Sequence, residues 1–215
     1  MAALAFKLSL VPLHFWTPDV YQGAPLNSTL LLTTVSKVAV FALLIKLMLM
    51  VPDGFAGDLI PLLSWMAIAS MLLGNWLALQ QDNLKRLMAY SAIAHMGYVL
   101  VAAIVAMDLD HRLVLEAAGY YLLAYLIASI LIFSVLASLS RLDADKDVDQ
   151  VGQIRGLFWP HPWMAVILTL AFLSLAGMPI TVGFIGKFYL LTLAVKVSAW
   201  WLVSAILIGR AVGLY

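Results

Sequence analysis

The chain contains no cysteine in 215 residues. This excludes disulfides, thiolate-held iron–sulfur clusters and cysteine-based metal sites within the stretch. Charge is scarce too, at 11% of residues, and all 11 Asp and Glu lie in or beside polar connections. No nucleotide-binding loop, flavin motif or cluster ligand is present, so electron transfer is not expected of this chain itself. No basic leader or cleavage site follows Met1, and Tyr215 falls within an apolar run, so the chain reads as a fragment cut at both ends. Period-2 alternation is missing as well, which argues against a membrane barrel.

What fills the chain instead is apolar surface. At 65% hydrophobic residues and a mean hydropathy of +1.04, it is too apolar for a soluble core and reads as an integral membrane protein. Its apolar runs are about 20 residues long, enough for a helix to cross a hydrocarbon layer of about 30 Å. They fall at 27–50, 59–79, 86–107, 115–139 and a long interrupted 161–195, with partial segments at 1–21 and 198–215. The expected fold is an all-α, polytopic transmembrane bundle forming one membrane domain over 1–215. Lys85, Arg86, Arg141, Lys146 and Arg155 occupy one set of alternate connections, and only Arg112 and Lys196 occupy the other. The positive-inside rule places the richer set in the cytoplasm, so the chain begins by running inward. The polar stretch 143–150 reads as a solvated linker.

Three lysines, Lys7, Lys37 and Lys187, sit inside apolar runs. A charge at membrane depth costs about 2.5 to 3.5 kcal/mol on insertion scales, so each is a functional hypothesis by default. Two runs are interrupted by proline close to such a lysine: Ser9-Leu10-Val11-Pro12 beside Lys7, and Ser174-Leu175-Ala176-Gly177-Met178-Pro179, followed by Gly183, beside Lys187. Proline removes a backbone donor and forces a kink or an opening, and paired discontinuous helices point to the ion site of a transporter. Lys37 lies too deep to snorkel easily, which argues for a partner or a hydrated interior. A lysine amine so placed can hold or release a proton according to its neighbours, as a relay requires; a static lysine that pins helices is the alternative. Ser91, His95 and Tyr98 share one helix face, where an imidazole between two hydroxyls suits a proton path, or a neutral histidine is simply satisfied by one of them. Tyr121, Tyr125 and Ser129 form a second polar stripe that reads as helix packing. Lys46, near a helix end, is expected to snorkel, and Arg210 has no acidic partner in the sequence around it.

The run Phe6-Lys7-Leu8-Ser9-Leu10-Val11-Pro12-Leu13-His14-Phe15-Trp16-Thr17-Pro18-Asp19-Val20-Tyr21-Gln22-Gly23-Ala24-Pro25 closely resembles a broken-helix signature of the subunit N family of proton-translocating NADH:quinone oxidoreductase, respiratory complex I. Val35-Ser36-Lys37, the run from Lys85 to Tyr98 and the run from Leu173 to Tyr189 support the resemblance, which covers essentially the whole chain. Thr17-Pro18-Asp19-Val20-Tyr21-Gln22-Gly23-Ala24-Pro25 favours this family over its antiporter-like sisters, which share a looser proline and lysine pattern.

The resemblance implies an antiporter-like inverted-repeat fold, entered inside the seventh transmembrane helix and left inside the thirteenth. It implies that Lys7, Lys37 and Lys187, with His95, relay protons, with Ser91, Tyr98 and His14 in support and Pro12, Gly177, Pro179 and Gly183 marking the helix breaks. A glutamate on the family's fifth helix, outside this chain, would pair with Lys7. NADH, FMN, iron–sulfur clusters and quinone would belong to other subunits. Neighbouring membrane subunits of the complex would be the partners, a bacterial inner membrane the location, and nucleic acid no partner. A stand-alone cation/proton antiporter of the same superfamily and a structural membrane spacer are the rival readings.

Overall fold

A computed structural model describes residues 2–48, 50, 53–107, 109–142 and 149–214. Most of the polar stretch expected to be a linker, including Lys146, lies outside these residues. The described chain is helical, with α1 Ala2–Lys7, α2 Trp16–Gly23, α3 Leu26–Thr33, α4 Val35–Met48, α5 Asp53–Ala78, α6 Leu84–Val105, α7 His111–Leu142, α8 Pro162–Ala176, α9 Val182–Lys196 and α10 Trp200–Leu214. Among the described residues, four spans are long and apolar enough to cross a membrane: Leu26–Met48, Leu59–Ala78, Leu84–Val105 and His111–Arg141.

The core is organised around α6, which is buried along nearly its whole length and packs against α2, α5, α7 and α9. Its sequence explains this position. Beyond its basic first turn it carries mostly small and aliphatic residues, with Ser91, His95 and Tyr98 as its one polar stripe, so it has little solvent-facing edge to keep. The contact with α5 is close because small residues meet there: a Cβ at Gly97 would come within 2.9 Å of the Ala67 carbonyl and one at Gly74 within 2.7 Å of the Ala94 nitrogen. By contrast Leu123, Ile127, Trp65, Leu170 and Phe188 are exposed, as side chains of a bundle bathed in lipid would be.

The run at 27–50 differs from the single helix expected for it. Thr34, at φ −102° and ψ −88°, separates α3 from α4, and the hydroxyls of Thr33 and Thr34 turn back to the carbonyls of Thr29 and Leu30. Consecutive threonines bonding one turn back compete with the helical ladder, which locates the interruption three residues before Lys37.

Three alternate connections meet at one end of the bundle. Lys85 at the start of α6 is 3.1 Å from Asp149 and donates to the Ala24 carbonyl at 3.3 Å, while Arg86 pairs with Asp19 at 3.2 Å and donates to Gln22 at 3.0 Å. Backbone bonds from Leu84 to Asp149 and from Val151 to Asp82 fasten the same place. Lys85 is thus a buried structural cation, 2% exposed, rather than the solvated loop charge its sequence neighbourhood suggests.

Candidate functional site

Helical structure stops twice where proline and lysine coincide. Between α1 and α2, residues 8–15 are not helical; Ser9 has φ 63°, and the Val11 amide leaves the helix to donate to Ser70 of α5 at 2.9 Å. Between α8 and α9, Gly177 caps α8 in the left-handed region at φ 81°, Ile180 follows at φ 86°, and α9 restarts on the Thr181 hydroxyl, which accepts from the Phe184 amide. A β-branched residue at positive φ is strained, and such strain persists only where the surroundings enforce it. The Ile180 side chain is itself fully exposed, and the close fit lies three residues on, at Gly183. A Cβ on Gly183 would run into the Ser174 carbonyl, while the Gly183 amide itself donates to the Ser174 hydroxyl at 3.3 Å.

Lys187 reaches back across this second interruption. It is 4% exposed, and its ammonium donates to the carbonyls of Leu175 at 2.7 Å and Ala176 at 3.0 Å. These are the last carbonyls of α8, left without helical partners and carrying the negative end of the helix dipole, so a cation is stabilised there without a carboxylate. Its ammonium also lies over the Tyr98 ring, 5.0 Å from the centroid.

Lys37 is 1% exposed, and its ammonium has no hydrogen-bond partner among the described residues. Its nearest aromatic partner is Tyr21, 5.8 Å from the ring centroid. The hydroxyls of Tyr21, Tyr125 and Ser129 are likewise buried without a partner. Such a concentration of unsatisfied buried groups calls for water, since each costs about 1–3 kcal/mol if left bare.

His95 joins the two lysine regions. Its Nδ1 lies 2.6 Å from the Tyr121 hydroxyl, and its ring packs 5.2 Å from Tyr125 and 6.1 Å from Tyr98, the ring over which Lys187 sits. The hydroxyl that serves it therefore comes from α7, not from Ser91, which is half-buried one turn away. The second polar stripe, read as packing, supplies the aromatic lining of this lane. Its signal was the four-residue spacing of Tyr121 and Tyr125, which puts both on one face of α7.

The other expected residues are placed differently. Lys7 ends α1 and is exposed, because α1 is a short element at the bundle's edge; it is not buried within this chain. His14 is buried in the first interruption with its ring 4.4 Å from that of Phe15 and its Nδ1 unpartnered. Pro12 is exposed and Lys46 is exposed. Arg210 finds an aromatic partner rather than an acid, stacking 4.5 Å over Phe184.

The described residues form a polytopic bundle of apolar helices with Lys37, His95 and Lys187 buried inside it, the architecture of a multi-pass membrane protein. The model of the family described as "NADH:quinone oxidoreductase/Mrp antiporter, TM" matches residues 1–213, and the chain belongs to this family. It is 49% identical over all 215 residues to NADH-quinone oxidoreductase subunit N of Ectopseudomonas mendocina (strain ymp), covering 43% of that protein. Among solved structures, it matches a chain of respiratory complex I from Thermus thermophilus with bound aureothin at 35% identity and a TM-score of 0.81, over 98% of this chain and 44% of that one. A chain of the Mrp complex from Dietzia sp. DQ12-45-1b shares the fold at a TM-score of 0.84 and 21% identity, over 99% of this chain and 38% of that one. The chain thus spans less than half the length of the relatives it matches.

Proposed function

We propose that this chain is part of a subunit N of NADH:quinone oxidoreductase, and that it passes protons between Lys37 and Lys187 by way of His95. The observation that carries the reading is the lane itself. Two buried ammonium groups have no carboxylate partner among the described residues, one over the Tyr98 ring that packs against the His95 imidazole and the other over the Tyr21 ring. Tyr121 and Tyr125 pack against the same imidazole. A lysine without a fixed counter-ion can exist as amine or ammonium at modest cost difference, so a proton arriving from His95 finds an acceptor on either side. The unpartnered hydroxyls of Tyr21, Tyr125 and Ser129 would hold the water that bridges the gaps.

In this reading the two helical interruptions are the paired breaks of discontinuous spanning segments in an antiporter-like inverted repeat, with Pro12, Gly177, Pro179 and Gly183 at the openings. Lys7, exposed here, would meet a carboxylate from a helix outside this chain, and His14 and Ser91 would support the path. NADH, FMN, iron–sulfur clusters and quinone act in other subunits, this chain lies in the bacterial inner membrane beside other membrane subunits of the complex, and the end carrying Lys85 and Arg86 faces the cytoplasm. The higher identity to complex I chains than to the Mrp chain supports the respiratory reading over a free-standing antiporter.

The test is Lys37→Met in the full-length subunit of the assembled complex. Pumping driven by NADH should fall, with coupled quinone reduction, while assembly persists. Near-normal pumping by the assembled variant would refute the relay.

A further inference from the structure

A cavity of about 480 Å³ lies outside the lane, where α5 packs against α10. It is at the end of the bundle away from Lys85, since α5 starts here and ends beside the turn into α6. Gly57, Pro61, Ser64, Trp65 and Ile68, on one face of α5, form one wall, and Trp201 closes the other from α10. Two polar groups stand in this apolar lining. Ser64 is 5% exposed, and its hydroxyl has no hydrogen-bond partner among the described residues. Other hydroxyls of the apolar helices satisfy themselves one turn back: Ser70 donates to the Met66 carbonyl, Thr169 to that of Ala165 and Thr192 to that of Phe188. Ser64 does not. Pro61 carries no amide hydrogen, so the Gly57 carbonyl, four residues earlier, lacks its helical donor. No described neighbour stands within 4 Å of where a Gly57 Cβ would be, so the backbone there is uncovered.

The cavity therefore offers one donor and one acceptor, two turns or about 10 Å apart along α5. Gly57 precedes the apolar span Leu59–Ala78 and Ser64 lies inside it, so the acceptor is at headgroup level and the donor at the border of the hydrocarbon. Trp65 and Trp201, 72% and 58% exposed, flank the opening as indoles do at a membrane interface. We propose that this cavity holds a single membrane phospholipid whose headgroup carries an N–H or O–H donor. An ester carbonyl of the lipid accepts from the Ser64 hydroxyl, the headgroup donates to the Gly57 carbonyl, and one acyl chain fills the apolar space past Ile68. The volume falls in the range of about 300–1,000 Å³ that single bound ligands occupy. A choline headgroup has no hydrogen to give the Gly57 carbonyl, and a quinone ring offers only acceptors, so neither satisfies both groups.

The test uses the assembled complex with full-length subunit, in phosphatidylcholine vesicles containing a trace of phosphatidylethanolamine with a diazirine on its acyl chain. After illumination, peptide mass spectrometry should find labelling at Trp65, Ile68 or Trp201 that saturates and that unlabelled phosphatidylethanolamine or phosphatidylglycerol displaces. Comparing the two competitors separates an N–H from an O–H headgroup. Ser64→Ala should weaken their binding by about two- to tenfold, the net worth of one hydrogen bond. Pro61→Ala returns an amide hydrogen to the Gly57 carbonyl and should erase the preference over choline lipid while labelling persists. Ile68→Trp, which fills the cavity, should end the labelling. Absence of labelling in the wild type would mean that protein covers the groove, and labelling that never saturates, or that choline lipid displaces equally, would mean bulk lipid. Displacement by a quinone alone would give the cavity to a quinone. Each of these results, or unchanged affinity in an assembled Ser64→Ala complex, overturns the proposal.

Discussion

Replacing Tyr121 with Phe removes one oxygen from the centre of the site and leaves its packing intact. That oxygen lies 2.6 Å from His95 Nδ1 in a fully enclosed place, where both groups are out of reach of bulk water. A buried polar atom left without its partner loses about 1–3 kcal/mol, and the cost falls on whichever form of the imidazole the hydroxyl stabilises. If His95 passes protons, this cost appears in the barrier, and pumping should slow by about five- to 150-fold. The aromatic contact of Tyr121 with Tyr98 survives in the Phe ring, so the fold should hold and the variant should assemble. The assay is NADH-driven acidification of vesicles, followed by dye quenching, with NADH–ferricyanide reduction as the measure of assembled complex. An assembled Tyr121→Phe complex that pumps at the wild-type rate would show that His95 does not rely on this hydroxyl and that the lane is packing, not path.

Lys187→Met should abolish most pumping and also loosen the second interruption, because the carbonyls of Leu175 and Ala176 lose their donor; a hydrogen-exchange comparison of 173–184 should show faster exchange than in wild type. Gly183→Ala should destabilise by about 1–3 kcal/mol, since the new methyl must push the Ser174 carbonyl aside, and a lowered thermal midpoint of the purified complex would register it. Gly177→Ala should cost about 1 kcal/mol or more through its positive φ, measurable in the same melt. Residues 1–215 reconstituted alone in sealed vesicles should show no Lys37-dependent proton flux under an imposed potential; specific flux would promote the free-standing antiporter reading.

Run length and hydropathy made the all-helical membrane architecture readable, because a bilayer demands long apolar helices and little else supplies them. Lys37 and Lys187 were readable for the complementary reason: a cation so far from any polar connection has few structural excuses. What the sequence concealed depends on contacts between helices. Lys85 looks like a loop charge until α2 and the segment at 149 close over it. Tyr121 looks like packing until α7 is laid against α6 and its hydroxyl meets His95. The interruption at Thr34 carries neither proline nor glycine, and its hydroxyl bonds one turn back are too common in membrane helices to signal a break by themselves. Lys7 was read as interior because it sits in an apolar run beside a proline break, yet it is exposed in this chain, where α1 lies at the edge of the bundle.

The most direct test of the account is a double-mutant comparison of protons pumped per NADH oxidised, in assembled complexes carrying Lys37→Met, Lys187→Met or both. Groups acting in series on one path are strongly non-additive, so the account expects each single variant to lose nearly as much as the pair. Losses that multiply in the double variant, or singles that pump normally, would contradict a common proton path through Lys37 and Lys187.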